Sequence, residues 1–121
     1  TPDATVTANL LRTAQLMERI REVLGSAILI TSGYRCTLLN TAIGGATNSA
    51  HLHGLAADFI APGYGSPLKI CQLLEGYMDD FGIDQLIHEH TWVHVGLRDE
   101  APRHQVLTLL PNGGYTVGIK A

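Results

Sequence analysis

Apolar and polar positions alternate along this chain with two different periodicities, which predict helices and strands. Residues 5–24 carry apolar side chains at helical intervals and stop at Gly25, which predicts an amphipathic helix with one buried face. Helices are also predicted over 35–43 and 68–80. Short runs rich in β-branched residues predict strands: AILITSG at 27–33, LAADFIA at 55–61, GIDQLIHE at 82–89, TWVHVGL at 91–97, QVLTLL at 105–110 and GYTVGI at 114–119.

The order of these elements predicts the fold class. Helices and strands are partly segregated, and the last four strands are joined by turns, a tight one near 89–91 and the PNGG turn at 111–114. This arrangement favours an α+β fold over a doubly wound parallel sheet. We therefore predict one small domain over 1–121, in which a mainly antiparallel sheet packs with helices.

Composition excludes several classes of function. The net charge is −3 and the 8 lysines and arginines are scattered, so we expect no nucleic-acid partner. No apolar run is long enough to cross a bilayer, so we expect no membrane partner. No signal peptide is visible, and a processed signal would leave the same sequence. A monomer is expected, and free buried thiols at Cys36 and Cys71 are favoured over a disulfide.

Three residues have the chemistry and spacing of a metal site. His51 and Asp58 lie in SAHLHGLAADF, where Gly54 permits a tight return of a loop over a strand. A carboxylate among apolar neighbours needs a partner or a metal, although an arginine or a backbone turn would also serve. In WVHVG, alternation directs two valines to the core and His94 to the other face. A catalytic zinc needs three such ligands and one open position, although His94 can also be a packing histidine.

A series of short motifs resembles a known family. They are SGYRC at 32–36, LN at 39–40, IGGA at 43–46, SAHLHGLAAD at 49–58, DQLIHE at 84–89 and WVHVG at 92–96. In this order they resemble the zinc D-Ala-D-Ala carboxypeptidases, peptidoglycan peptidases that include phage endolysins and lie near the hedgehog fold. The resemblance implies one Zn²⁺ bound by His51, Asp58 and His94. It also implies an α+β fold and hydrolysis of stem peptides in bacterial peptidoglycan. With no signal peptide visible, a phage enzyme made in a host cytoplasm and a periplasmic enzyme trimmed of its leader both fit this resemblance.

The proton-transfer group departs from the family pattern. Many members carry an acidic residue three positions before the last zinc histidine, where this chain has Thr91. Glu89 is the predicted general base because it should lie near the hairpin tip, and His90 and His88 are the alternatives. If no residue acts as a base, the domain is a non-catalytic zinc or peptide-binding module. An inert structural domain of a phage particle is a third hypothesis.

The remaining polar residues of the motifs have two interpretations each. Arg35 is a candidate to bind a substrate carboxylate or to anchor its turn, and Ser49 to contact substrate or to cap a loop. Asp84 could orient a ligand histidine, but a position at the start of a strand is preferred. His53 is expected to be exposed. Trp92 is either a wall of the substrate groove or part of the packing.

Overall fold

The computed structural model describes residues 4–32 and 54–121. The predicted helix over 35–43 and Cys36 lie outside these ranges. The helices are α1 Ala4–Leu24, α2 Pro67–Leu74 and α3 Met78–Phe81, and a 3₁₀ turn over Glu75–Tyr77 separates the last two. The strands are β1 Leu29–Ser32, β2 Ala56–Ile60, β3 Gln85–His88, β4 Val93–Gly96, β5 Gln105–Leu109 and β6 Tyr115–Val117.

The helices begin and end where local chemistry requires it. Gly25 follows α1 with a left-handed φ of 65°, and its N–H donates to the Arg21 carbonyl. Ser66 caps α2 by accepting a hydrogen bond from the N–H of Lys69, and Pro67 occupies the first turn. The single helix predicted over 68–80 is thus interrupted by a 3₁₀ turn that contains Gly76, a residue of low helix propensity.

The six strands form one sheet in the order β1-β2-β4-β3-β5-β6. All neighbours are antiparallel except β3 and β5, which are parallel. The parallel pair arises because residues 97–104 leave β4 beside Gln85 and return on the other side of β3, where Gln105 pairs with Gln85. The predicted α+β fold with a mainly antiparallel sheet is confirmed, as are the two hairpins, but the parallel pair was not predicted.

The core lies on one face of the sheet. Both long helices pack there against fully buried side chains of the central strands, including Phe59, Leu86, Val93 and Val95. Helix α1 contributes Leu16, Met17, Ile20 and Leu24, and α2 contributes Ile70, Cys71 and Leu74. Because strand residues alternate between faces, the opposite face of the same strands receives the polar residues of the candidate site.

Cys71 is a buried thiol in this core. Burial, aided by the negative charge of Glu75, raises the pKa of the Cys71 thiol to about 12. The side chain therefore behaves as a small apolar group and not as a nucleophile. Within the part of the chain that the structure describes, no helix has the length and hydropathy needed to cross a bilayer.

Gly54 brings the chain into β2 by a close approach to α1. Its φ is +73°, and a Cβ there would lie 3.0 Å from Leu10 Cγ and 3.1 Å from the Val6 carbonyl oxygen. The buried Thr13 hydroxyl donates to the Gly54 carbonyl at 2.6 Å. The positive φ predicted for Gly54 is observed, and close contact with α1 is a second physical reason for glycine here. The loop that Gly54 was predicted to turn lies outside the described residues.

We expect Gly54→Ala to destabilise the fold more than the positive φ alone requires. Gly25 is a matched control, since its φ is +65° but a Cβ there meets nothing within 4 Å. Urea unfolding should show a loss of about 1 kcal/mol for Gly25→Ala. For Gly54→Ala the loss should be about 2–4 kcal/mol, because overpacking against α1 adds to the strain. Equal losses would contradict a packing role for Gly54.

Candidate metal centre

Asp58 and His94 are in contact across neighbouring strands. Asp58 of β2 is the direct partner of His94 in β4 in the antiparallel register. Nδ1 of His94 lies 2.9 Å from Oδ1 of Asp58, and each side chain is 14% exposed. The two groups therefore form a polar pair that is largely shielded from solvent, on the face opposite the helices.

The alternation predicted for WVHVG explains this arrangement. Val93 and Val95 are fully buried in the core, and His94 between them projects from the other face. Phe59 is likewise fully buried beside Asp58 in β2. The apolar neighbours that made Asp58 an unusual strand residue are thus what hold its carboxylate in register with His94.

The pair fits two ligands of a divalent metal. Zinc takes carboxylate oxygen and imidazole nitrogen at about 2.0–2.2 Å, so two ligand atoms of one ion lie at most about 4.4 Å apart. The observed separation of 2.9 Å satisfies this limit. Among residues 4–32 and 54–121 no group of three His, Cys, Asp or Glu side chains could hold a metal. The predicted third ligand, His51, lies outside the described residues.

Glu89 lies on the same side of the sheet at the end of β3. Its N–H donates to the Trp92 carbonyl, which continues the β3–β4 ladder beyond His88 and Val93. By alternation Glu89 then faces the side of the sheet that carries His94. Its Oε1 accepts a hydrogen bond of 2.9 Å from the hydroxyl of Tyr115 in β6. Tyr115 was not singled out from the sequence, where no local motif marks it.

The Tyr115 phenol is held in its neutral, donating form. Tyr115 is 48% exposed, and its phenol is only partly desolvated. This partial desolvation, the hydrogen bond to Glu89, the charge of Glu89 and the charge of Asp58 together raise the pKa of Tyr115 to about 12. The phenol is therefore a hydrogen-bond donor near neutral pH. Its pKa depends on the negative charges of both Glu89 and Asp58. One oxygen of Glu89 is engaged by this donor.

The two histidines beside Glu89 are engaged elsewhere. His88 is buried, so the alternative that both are surface histidines is wrong for it, and its Nδ1 lies 2.9 Å from the Lys120 carbonyl. Burial and the neighbouring charge of His90 lower the pKa of His88, against the effect of the Lys120 carbonyl. His90 is exposed in the turn with a φ of 67°, and its Nε2 bonds to the Leu109 carbonyl at 2.7 Å. Thr91 is exposed at the turn.

Asp84 anchors the chain segment between β4 and β5 and does not orient a histidine. It immediately precedes β3, as preferred from the sequence. Its carboxylate accepts from the backbone N–H of Arg103 at 2.8 Å and from the Arg103 guanidinium at 3.0 and 2.7 Å. Burial opposes ionisation, but the hydrogen bonds from Arg103 and the charges of Arg103 and Arg98 outweigh it and lower the pKa of Asp84.

Trp92 immediately precedes β4 and by alternation lies on the same side of the sheet as His94. The residue is half-buried, and its indole N–H is buried with no hydrogen-bond partner among the residues that the structure describes. Arg35, Ser49 and His53 lie outside the described ranges, together with His51. Their predicted roles in substrate binding or exposure remain predictions.

Comparison with known proteins identifies the family. The model of the peptidase M15 family matches residues 2–96, and the chain belongs to this family of peptidases. The chain is also 38% identical over 63 residues to the zinc D-Ala-D-Ala carboxypeptidase of Streptomyces albus G. That match covers 51% of this chain and 25% of the relative, so the chain spans about a quarter of that protein. The family resemblance drawn from the motifs is confirmed.

Asp84→Asn should lower the free energy of unfolding at neutral pH and reduce the further loss of stability in acid. Because the pKa of Asp84 is lowered in the folded state, its contribution is present above the unfolded value of about 3.9 and is lost as the pH falls through the folded value. We expect a loss of about 1–3 kcal/mol at pH about 7, since Arg103 is half exposed. Urea unfolding at pH about 7 and about 3 should show a smaller acid loss in Asp84→Asn. Asp80→Asn, on the exposed end of α3, is the control, and an equal acid loss in both variants would contradict the anchor.

The Tyr115–Glu89 contact should be visible in the ionisation of the phenol. The wild-type Tyr115 pKa is expected at about 12. Glu89→Gln removes one acceptor and one negative charge, so the pKa should fall, yet stay above the ordinary value of about 10 because burial and Asp58 remain. Absorbance titration of tyrosinate, with Tyr115→Phe used to assign the signal, measures this. An unchanged pKa in Glu89→Gln would contradict the contact.

Proposed function

We propose that this protein is a zinc-dependent peptidase that hydrolyses peptide bonds in the stem peptides of bacterial peptidoglycan, as a D-Ala-D-Ala carboxypeptidase or as an endolysin-type endopeptidase. The observation that carries the proposal is the contact between Asp58 and His94 at 2.9 Å in a chain of the peptidase M15 family. The printed name of the Streptomyces albus G relative supports zinc and a D-Ala-D-Ala substrate.

In this proposal one Zn²⁺ is held by His51, Asp58 and His94. Bound zinc supplies Lewis-acid chemistry, which polarises a peptide carbonyl and makes water a nucleophile near neutral pH. The donor chemistry agrees with this assignment, because one carboxylate and two imidazoles form a frequent ligand set for catalytic zinc. The shielding of the Asp58–His94 pair strengthens the electrostatic interactions made there.

Glu89 is the proposed general base. Its carboxylate would take a proton from the attacking water and deliver it to the amine that leaves when the peptide bond breaks. Two observations support it: the alternation that turns Glu89 toward the side of His94, and the Tyr115 hydroxyl that holds one of its oxygens. His88 fits the role poorly, since it is buried and bonds to Lys120. His90 is less suited because its Nε2 is engaged by the Leu109 carbonyl.

Arg35 and Ser49 complete the proposed substrate site. The guanidinium of Arg35 would bind a carboxylate of the stem peptide through two parallel hydrogen bonds. Ser49 would contact a polar group of the same substrate. Both assignments rest on the SGYR and SAHLHG motifs and the family membership.

A non-catalytic zinc or peptide-binding module of the same fold is the second candidate. The specific observation in its favour is Thr91, which stands three positions before His94 where many relatives carry an acidic residue. Without a group that accepts a proton, the site would bind a metal or a peptide and release no product. A peptidase and a zinc-binding module agree in zinc content and differ in turnover.

We expect the wild type to carry about one zinc per chain and to release new amino groups from purified peptidoglycan. Glu89→Gln should keep its zinc and lose activity by about 10²–10⁴-fold, because the proton acceptor is removed and the ligands are not. His94→Gln should lose zinc and activity together. Elemental analysis and an amine-release assay on the same preparations measure both quantities.

Glu75→Gln is the matched control, since Glu75 is exposed on the helical side of the molecule. It should retain both zinc and activity. A wild type that carries zinc but releases nothing from several types of peptidoglycan would support the binding module. A wild type that binds no zinc would contradict the peptidase and a zinc-binding module alike, and would leave only a peptide-binding module.

A further inference from the structure

A chain of three polar side chains runs from β5 to His94 on the face of the candidate metal centre. The amide nitrogen of Gln85 donates to Oε1 of Gln105 at 2.8 Å. Oε1 of Gln85 in turn lies 3.1 Å from Nε2 of His94. The direction of the first hydrogen bond decides the second, because a glutamine amide that gives its NH₂ to one neighbour presents its carbonyl to the other.

The sheet register makes this chain possible. Gln85 and Gln105 are direct partners in the parallel β3–β5 pair, so their side chains leave the sheet on the same side. In the antiparallel β3–β4 pair, Gln85 faces Gly96, and His94 is its diagonal neighbour. A Cβ at Gly96 would lie 3.6 Å from Nε2 of His94 and 3.8 Å from Cβ of Gln85. These are ordinary van der Waals distances, so Gly96 lies directly beside the contact between Gln85 and His94.

The Gln105–Gln85 chain assigns a donor role to Nε2 of His94. A carbonyl oxygen only accepts, so Nε2 must donate to Gln85. Nδ1 is the nitrogen that faces the Asp58 carboxylate. Because a carboxylate also only accepts, Nδ1 donates to Asp58 as long as no metal is bound. A metal shared with Asp58 would take the place of that hydrogen on Nδ1, while Gln85 keeps the hydrogen on Nε2. If the Gln85 side-chain amide were turned the other way, its NH₂ group would face Nε2 of His94. Nε2 would then accept this hydrogen bond, and the hydrogen of the neutral ring would lie on Nδ1, where it would prevent metal binding.

We propose that Gln85, oriented by Gln105, is a positioning residue that holds His94 in the tautomer and ring orientation needed to bind the metal. The inference rests on the proposed function, since it assigns His94 as a metal ligand. Outer partners of this kind fix the ring of a ligand histidine and contribute about 10–100-fold in metal affinity. Asp84, the neighbouring residue that the sequence offered for this role, is bound to Arg103 instead.

The first test is zinc affinity, measured by competition with a chelator and independent of hydrolysis. Gln85→Met has similar length but no acceptor, and should weaken zinc binding about 10–100-fold. Gln85→Glu keeps an acceptor for Nε2–H and should restore affinity to within a few-fold of wild type. Gln105→Met should weaken binding about 2–10-fold, since the Gln85 amide loses the partner that orients it. Gln72→Met, on the exposed surface of α2, is the matched control and should change nothing.

The second test reads the tautomer directly. Long-range ¹H–¹⁵N spectra of the zinc-loaded wild type should show a hydrogen on Nε2 of His94 and none on Nδ1. A hydrogen on Nδ1, or unchanged zinc affinity in a folded Gln85→Met, would overturn the positioning role while leaving the zinc site intact. If Gln85→Met fails to fold, the comparison of Gln105→Met with wild type decides in its place. A wild type that binds no zinc would overturn the metal site itself, and the positioning role with it.

Discussion

The antiparallel register between β2 and β4 is the constraint on which the rest of the site depends. It opposes Asp58 to His94 directly and thereby brings a carboxylate and an imidazole within 2.9 Å on one face. On the other face the same register packs Phe59, Val93 and Val95 into the core. A slip of one residue would exchange the two faces, burying the polar pair and exposing the apolar side chains. The hydrophobic effect therefore fixes the position of the chemical groups.

Two sets of hydrogen bonds between polar side chains lie next to the Asp58–His94 pair. On one flank Gln105 and Gln85 reach the far nitrogen of His94, and on the other Tyr115 reaches Glu89. Both sets draw on β5 and β6, the last two strands of the sheet. Hence the C-terminal hairpin contributes to the site, although the family model matches only as far as residue 96. Asp84 secures the segment that carries the chain from β4 to this hairpin.

Part of this arrangement could be read from local patterns. Helix α1, the capping Gly25, the positive φ of Gly54 and the outward orientation of His94 all follow from periodicity or backbone preference within a few residues. The motifs also led to the family, because SAHLHGLAAD and WVHVG join rare residue types at fixed spacing. The interrupted helix after Leu74 was missed, since periodicity alone does not reveal a 3₁₀ turn.

What the sequence by itself determined is which residues share a face of each element, because the intervals of helix and strand are properties of the local backbone. Only the tertiary structure decided which elements are neighbours. Three contacts show this. The Asp84–Arg103 anchor and the Tyr115–Glu89 hydrogen bond join residues 19 and 26 positions apart. The parallel pair joins β3 to β5, which are not consecutive strands. No local pattern encodes such partners, because they result from how buried faces pack around a shared core. The roles of Gln85 and Tyr115 thus emerge only once the sheet is assembled.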